Sequence, residues 1–497
     1  MAIASRKLIL VAAHPLHSHR EINGQSVINN VCCRPTSALR RKSIVVLFAF
    51  SLAIFGFSRV SDVRLDPQYS MLVSECILKH GTPALDSISI GDLKPSDLPA
   101  HPDLKKWRPL VEQNGHLLYS YPHGSSLLSL PFVALLNAAG ISATDSSGNY
   151  RMRGEYWIQK IVSSFLMAVA TCLFFTAACQ MLPWSWSVAI AVGAAFGTQI
   201  WSTATRALWS HTWEVFLAAC LVLMLLKREQ RSSRYDAPIF ATLVAWMYFV
   251  RPTGAIAVVA IGLLLFSADR GEFLRFAATG CAWLVSFMTY SWLVFGELLP
   301  DYYRQGSALH VRGWVVAFSG CLFSPSRGLF IFVPSIPIVI FIVARHWNTL
   351  PARRLALVAG GVIATQLILV ASWPIWWGGY SYGPRLFTDL IPWFVLLAIL
   401  GFRAYLNGVS RTLTGKNRSS NRQLVVAMAL LLTCVSIAIN GRGALSLQTW
   451  LWNERVDIDA HPERVWDLRS PQFLAGIRSG DTVEFYRMLL RHLGKPD

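Results

Sequence analysis

The apolar residues of this chain fall in blocks that read as long enough to span hydrocarbon, which needs roughly 17 to 25 residues per helix. They predict helices near Ile44–Phe57, Trp157–Cys179, Val188–Thr203, Thr212–Leu226, Ile239–Phe249 and Ala255–Phe266. Five more are predicted near Ala277–Phe295, Leu329–Ala344, Leu355–Ser372, Phe387–Leu400 and Leu424–Ile439. Inside a bilayer no water is present to satisfy irregular backbone or an open sheet edge, so the expected fold is an all-α polytopic bundle of about eleven transmembrane helices. One stretch breaks the alternation. Residues 59–155 are mostly polar, with amphipathic pieces near Tyr69–Lys79 and Ser125–Ala139 that are too short or too broken to span. Insertions of this length are uncommon in compact folds and usually carry function.

Arg251-Pro252 is the ambiguous point, because proline there either separates two short helices or kinks one long one. The choice inverts every later loop. With two crossings, the basic segments Lys227–Arg234, Arg270–Arg275, Arg345–Arg354 and Arg403–Arg422 all fall on the cytoplasmic side, as does the Arg40-Arg41-Lys42 flank of the first span. With one, the last three fall outside, against the positive-inside bias. Two crossings are therefore expected. The layout is then a cytoplasmic tail (1–43), a membrane domain (44–440) containing the extracytoplasmic loop 59–155, and an extracytoplasmic tail (441–497). The long loop, the Thr205–His211 turn, the Asp301–Arg327 and Trp376–Arg385 segments and the tail all gather on one face.

Composition agrees. Of 497 residues, 54% are hydrophobic and 14% charged, with a mean hydropathy of +0.43, against about 25% charged residues in soluble domains. The net charge of +18, from 45 basic and 27 acidic residues, would suggest nucleic acid in a soluble protein. Here the basic residues cluster in connections between spans, which argues against that partner. Nine cysteines give no spacing framework. Cys172, Cys179, Cys220 and Cys434 sit in apolar runs as small hydrophobes, while Cys76 and Cys321 are the one pair placed for a bridge. Leu8–Ala13 is too short for a signal sequence, so the first residues read as a cytoplasmic tail or a misplaced start.

Candidate chemistry lies on the extracytoplasmic side. After the first span come Asp62 and Asp66, in Asp66-Pro67-Gln68-Tyr69. An acid at the mouth of a bundle can take a proton from a hydroxyl, although Asp followed by Pro also reads as a helix N-cap. Arg327 and Arg385 stand in Gly/Pro-constrained loops at span edges, where a guanidinium can hold phosphate bidentately or snorkel to lipid headgroups. Aromatics from Trp376 to Tyr382 beside Arg385 fit an interfacial belt or a sugar-stacking surface. His211 heads a span after Arg206 and reads first as a packing histidine. Asp457, Asp459 and His461 match no standard metal spacing and suggest a solvated turn. Pro122-His123-Gly124 suggests a turn before a helix. No phosphate-binding glycine loop, dinucleotide fingerprint or nucleophile elbow is present in the sequence.

Taken together, these motifs resemble the GT-C superfamily of membrane glycosyltransferases, above all the bacterial branch related to family 39 protein mannosyltransferases and the lipid A aminoarabinose transferase. The resemblance runs from about Asp62 to the tail. It rests on the acid–Tyr69–Ser74 stretch, Tyr121-Pro122-His123-Gly124, the Ser202–His211 turn, Arg251-Pro252-Thr253 and the loops Ser324–Leu329 and Gly378–Arg385. It departs at His123, where many relatives carry another residue. The resemblance implies inverting transfer of a hexose or pentose from a polyprenyl-phosphate donor to an extracytoplasmic lipid, polysaccharide or protein acceptor, in a bacterial inner membrane with the N-terminus inside and the C-terminus outside. It implies Asp66 as catalytic base, with Asp62 as the other candidate, and Arg385 or Arg327 on the donor phosphate. Tyr69, Tyr382, His211 and Arg206 would contact substrate. Some members of the superfamily use a divalent metal, and no nucleotide cofactor is expected. A transporter or flippase of lipid-linked sugars and a polysaccharide polymerase are the rival readings.

Overall fold

In the computed structural model the apolar blocks are helical. It describes residues 36–63, 66–90, 109–231, 236–304, 313–410 and 416–477, so the expected cytoplasmic tail up to residue 35 and the chain from 478 lie outside the described residues. In chain order the helices are α1 (Ser37–Phe57), α2 (Ser70–His80), α3 (Gly124–Ala138), α4 (Met152–Ala178), α5 (Trp184–Phe196), α6 (Ser210–Arg231), α7 (Ala237–Val250) and α8 (Ala255–Ala268). There follow α9 (Arg270–Phe295), α10 (Trp314–Phe323), α11 (Ser335–Arg345), α12 (Arg353–Ala371), α13 (Ile391–Ser410), α14 (Lys416–Leu445) and α15 (Leu447–Arg455).

Among the described residues, six helical segments are long and apolar enough to cross a membrane: Met152–Ala178, Ser210–Glu229, Arg270–Phe295, Arg353–Ala371, Arg385–Gly408 and Gln423–Leu445. Helices α3, α5, α7, α8, α10 and α11 are apolar but shorter. The apolar end of α1, residues 44–57, is about 21 Å long, less than the roughly 30 Å of hydrocarbon. The protein is thus a helical membrane protein whose spanning-length helices number fewer than the hydropathy blocks. Two blocks are interrupted: 329–344 divides at Pro334 into Leu329–Phe332 and α11, and 188–203 leaves the α-helix at Phe196 and winds as a wider π-turn over Ile200–Ala204. Conversely, α10 is an apolar helix inside the segment read as a loop.

The chain is also not purely α. Leu110–Gln113 (β1) and His116–Tyr119 (β2) pair antiparallel around Asn114-Gly115, both at positive φ. Asn-Gly is the strongest short hairpin signal, since both central residues of that turn need the left-handed region. Cys76 and Cys321 are buried and unbridged.

The Arg251-Pro252 break is a reversal, not a kink. Trp283 on α9 donates to Thr242 on α7 (3.0 Å), and Phe287 stacks on Phe249 at 4.8 Å, so α7 and α9 run parallel. Phe273 lies against Phe266 at 5.2 Å, which makes α8 antiparallel to α9. Helices α7 and α8 must then run opposite ways.

Burial sorts the helices into centre and rim. The segment Arg385–Gly408 is 94% buried over its most apolar window, whereas Arg270–Phe295 and Gln423–Leu445 are 11% and 17% buried. Val285, Trp292 and Leu293 on α9 and Leu430 and Leu431 on α14 are exposed. A rim of exposed large apolar side chains on this scale suits contact with lipid and would aggregate in water.

Candidate active site

The segment after α1 is built so that Asp66 does not cap a helix. Helix α2 starts only at Ser70, after Tyr69 at φ 73°. The backbone N–H groups of Tyr69 and Met71 donate instead to the carboxylate of Glu155 on α4, at 3.1 and 3.0 Å. That carboxylate is fully buried and also accepts from the Tyr150 hydroxyl (2.5 Å) and Gln159 Nε2 (3.1 Å). Glu155 therefore does the capping expected of Asp66. Tyr69, expected to contact substrate, turns inward, 2% exposed, with its ring against Tyr150 at 5.1 Å.

The freed Asp66 carboxylate takes other partners. Arg385 Nη1 lies 3.0 Å from Oδ2, and the Tyr121 hydroxyl donates to Oδ1 at 3.3 Å. The Asp66 carbonyl accepts from the Tyr119 hydroxyl at 2.5 Å. His123 in turn fixes Tyr119: its Nε2 meets the Tyr119 carbonyl at 2.9 Å, which requires a proton there, so Nδ1 accepts from the Tyr290 hydroxyl at 2.7 Å. Burial pushes the His123 imidazole down to about 4, so it is neutral at neutral pH. The Arg385 guanidinium carbon lies over Trp209, 4.4 Å from the ring centroid, and its buried Nε has no hydrogen-bond partner among the described residues.

Asp62 occupies a different place. It is 5% exposed beside Arg206, Arg385 and Lys160, and burial outweighs those three cations, pushing its carboxyl up to about 6. Three further residues singled out in the sequence are clamps. Arg206 is buried and donates to the carbonyls of Trp201 (3.1 Å), Val60 (3.1 Å), Ala444 (3.3 Å) and Phe55 (3.3 Å) and to Thr205 Oγ1 (2.5 Å from Nη2), tying α1 to the end of α14. Arg327 donates to the carbonyls of Trp377 (2.8 Å), Ser326 (2.8 Å) and Gly379 (3.2 Å), to Gln472 Oε1 (2.5 Å) and to Asn453 Oδ1 (2.9 Å). All five of its N–H groups are engaged, so it fastens the tail over the 378–385 loop instead of presenting a cation to phosphate. Tyr382 is buried and donates to the Ile439 carbonyl at 2.6 Å, which packs the same loop on α14. In the tail, Asp457 Oδ1 accepts from the backbone of Asp459 at 2.9 Å, and Asp459 accepts from Trp377 Nε1 at 2.8 Å, a turn that also holds the loop.

His211 belongs to a network that the sequence concealed. Its Nδ1 is hydrogen-bonded to Asp389 Oδ1, and its Nε2 faces Arg251 Nη1 at 3.0 Å. Arg251 Nε lies 3.4 Å from Asp389 Oδ2, which also accepts from Gln366 Nε2 at 3.0 Å, and 3.9 Å from Glu214 Oε2. Helices α6 and α12, the α7–α8 turn and the start of α13 meet here. Glu214 and Asp389 were legible as acids inside apolar runs, which is a functional signal in itself.

Two cavities meet at this point. A polar one of about 40 Å³, room for roughly three waters, is lined by Asp66, Ser70, Tyr119, Tyr121, Ser125, Trp209, Ser210, Arg251 and Tyr302 among others. Neither Asp62, Arg206, Arg327 nor Arg385 lines it. An apolar one of about 150 Å³ runs between α7 and α9, walled by Trp246, Phe249, Trp283, Phe287 and Tyr290. Tyr121, Pro122 and Tyr302 line both. Among the described residues no three His, Cys, Asp or Glu side chains converge as metal ligands. An acid and a cation facing a small polar space beside an aromatic channel can hold a hydroxyl, an anionic group and an apolar chain together. No protein-family model matches this sequence, and no curated protein is significantly similar to it.

Proposed function

We propose that the protein is a GT-C-like membrane glycosyltransferase that moves a sugar from a polyprenyl-phosphate donor to an extracytoplasmic acceptor with inversion. The observation that carries this reading is the Asp66 carboxylate in a polar cavity, held by Arg385 and Tyr121 and directly adjoining an aromatic apolar cavity. Asp66 takes the proton of the acceptor hydroxyl as that oxygen bonds the anomeric carbon. The bond from the anomeric carbon to the phosphate oxygen breaks on the opposite face, and the lipid phosphate leaves with the electron pair. Its growing charge is met by guanidinium at the cavity end of the bundle, where positioned cations act most strongly away from bulk water. Arg385 and the Tyr121 hydroxyl orient Asp66, and Tyr119 fixes its backbone. The apolar cavity suits the first isoprene units of the donor.

Asp66 is preferred to Asp62 as base because only Asp66 lines the cavity. The reversal at Arg251-Pro252, with a buried cation at a helix break, favours a carrier as the second reading. The purified chain in liposomes, given a radiolabelled polyprenyl-phosphate sugar and crude envelope acceptors, separates the two. A transferase moves label into acceptor, whereas a carrier moves label across the bilayer with the donor intact.

A further inference from the structure

Arg206, Arg251, Arg327 and Arg385 are not equivalent. Arg206 and Arg327 spend their N–H groups on carbonyls and side-chain amides or hydroxyls within the protein. Arg385 is paired with Asp66 and lies over Trp209, and it does not line the polar cavity. Arg251 does line it. Its Nε and Nη1 are fixed by Thr253 Oγ1 (3.0 Å), Ser210 Oγ (3.3 Å) and His211 Nε2 (3.0 Å), with Asp389 and Glu214 behind. Its Nη2 makes no hydrogen bond to any described residue and is not closed off from the cavity.

A guanidinium fixed by Thr253, Ser210 and His211, with the Asp389 carboxylate 3.4 Å from its Nε and the Glu214 carboxyl 3.9 Å away, that lines a polar cavity with Nη2 unpartnered among the described residues, is arranged to bind an anion there. The carboxylates cost the bundle desolvation, and a bare helix break would not need them. They set the plane of the fork, and planar bidentate recognition of phosphate depends on that plane. Asp389 is held by Gln366 and His211, so the orientation of Arg251 is determined two residues deep.

We propose that Arg251 is the residue that seats the phosphate of the lipid donor, and that His211, Asp389, Glu214 and Gln366 are its positioning residues. The inference rests on the transferase reading for the identity of the anion, and the sequence motifs had pointed to Arg385 or Arg327 instead. Arg385 then orients the base and Arg251 binds the leaving group across the same cavity.

The test is binding of polyprenyl phosphate, compared with the corresponding uncharged polyprenol, to the full chain in detergent. Wild type should prefer the phosphate by at least about tenfold. Arg251→Gln should lose that preference while its affinity for polyprenol stays within about twofold of wild type, the precision expected of such a comparison. Arg251→Lys guards against a folding defect, because it keeps the charge opposite Asp389 and Glu214. It should fold and still lose most of the preference, since a lysine cannot reproduce the fork. Asp389→Asn should weaken phosphate binding without changing polyprenol binding, a split that a purely structural role would not give. If both Arg251 variants fold and keep the wild-type preference, Arg251 is not the phosphate seat and the inference alone fails. If wild type itself does not distinguish phosphate from alcohol, the donor class fails, and the inference with it.

Discussion

Gly124 marks the tightest joint in the proposed site, and replacing it with alanine should damage catalysis more than folding. A Cβ at this position would lie 2.4 Å from the carbonyl carbon and oxygen of Phe249 and 2.6 Å from the backbone nitrogen of Val250. Ordinary carbon contacts begin near 3.5 Å, so the start of α3 and the end of α7 must part by about 1 Å. Both obstacles are backbone, and no side chain can rotate away. Forced separations of this kind cost roughly 1–3 kcal/mol. The functional cost should be larger, because both segments carry lining residues of the polar cavity: Tyr121 and Pro122 precede Gly124, and Arg251 follows Val250. A displacement of about 1 Å at a reacting centre commonly costs on the order of 10²-fold in rate. Thermal melting of the detergent-solubilised protein and transfer of radiolabelled sugar, normalised to folded protein, give the two quantities. Gly361→Ala on α12 is the control, since its Cβ would meet nothing within 4 Å. Wild-type melting and transfer in Gly124→Ala would refute the claim that this joint sets the cavity walls.

The buried Asp62 and the tail clamp give further expectations. The Asp62 carboxyl rises from 3.8 to about 6 in the folded protein, so its contribution is most favourable below pH 3.8 and is lost as pH rises through 6. Asp62→Asn should therefore raise stability above pH 6 by on the order of 3 kcal/mol and by less than about 1 kcal/mol near pH 4, read as melting midpoints across that range. A variant less stable than wild type at pH 7.5 would mean the carboxylate is needed ionised. Arg327→Ala should leave the Trp377 and Gly379 carbonyls and the Asn453 and Gln472 side chains short of a donor, at roughly 1.5–3 kcal/mol for each bond to the charged group. Limited trypsin treatment should then cut the tail after Arg455 or Arg464 much faster, while KM for the donor in the intact fraction stays at the wild-type value; a KM raised about tenfold would return Arg327 to the phosphate.

Helices were legible in the sequence because apolar length is a local property. What escaped was decided between distant segments. Asp66-Pro67 reads as a cap because nothing near it shows that Glu155, 89 positions later, takes the N–H groups of α2. Arg327 and Arg206 read as ligand-binding residues because their oxygen partners come from the tail, from α1 and from α14. Arg251 reads as punctuation for a similar reason: its neighbours Glu214 and Asp389, and Gln366 behind Asp389, sit in three other apolar blocks. The hairpin, by contrast, has a local signal in Asn114-Gly115, set within a polar loop. Loop charge identified the two-helix alternative at Arg251-Pro252, and the antiparallel course of α7 and α8 agrees with that choice.

Asp66 stands at the centre of the mechanism, and Asp66→Asn examines it with the least disturbance, since the amide keeps the volume, its oxygen can still accept from Arg385 and its NH2 can donate to the Tyr121 hydroxyl oxygen. The measurement is single-turnover transfer of label from a polyprenyl-phosphate sugar, with donor binding and melting followed in the same preparation. Asp66→Asn should fold, bind donor within about threefold of wild type and transfer sugar at least about 10²-fold more slowly, the contribution expected of a positioned general base. Transfer at the wild-type rate by a folded Asp66→Asn protein would contradict that role.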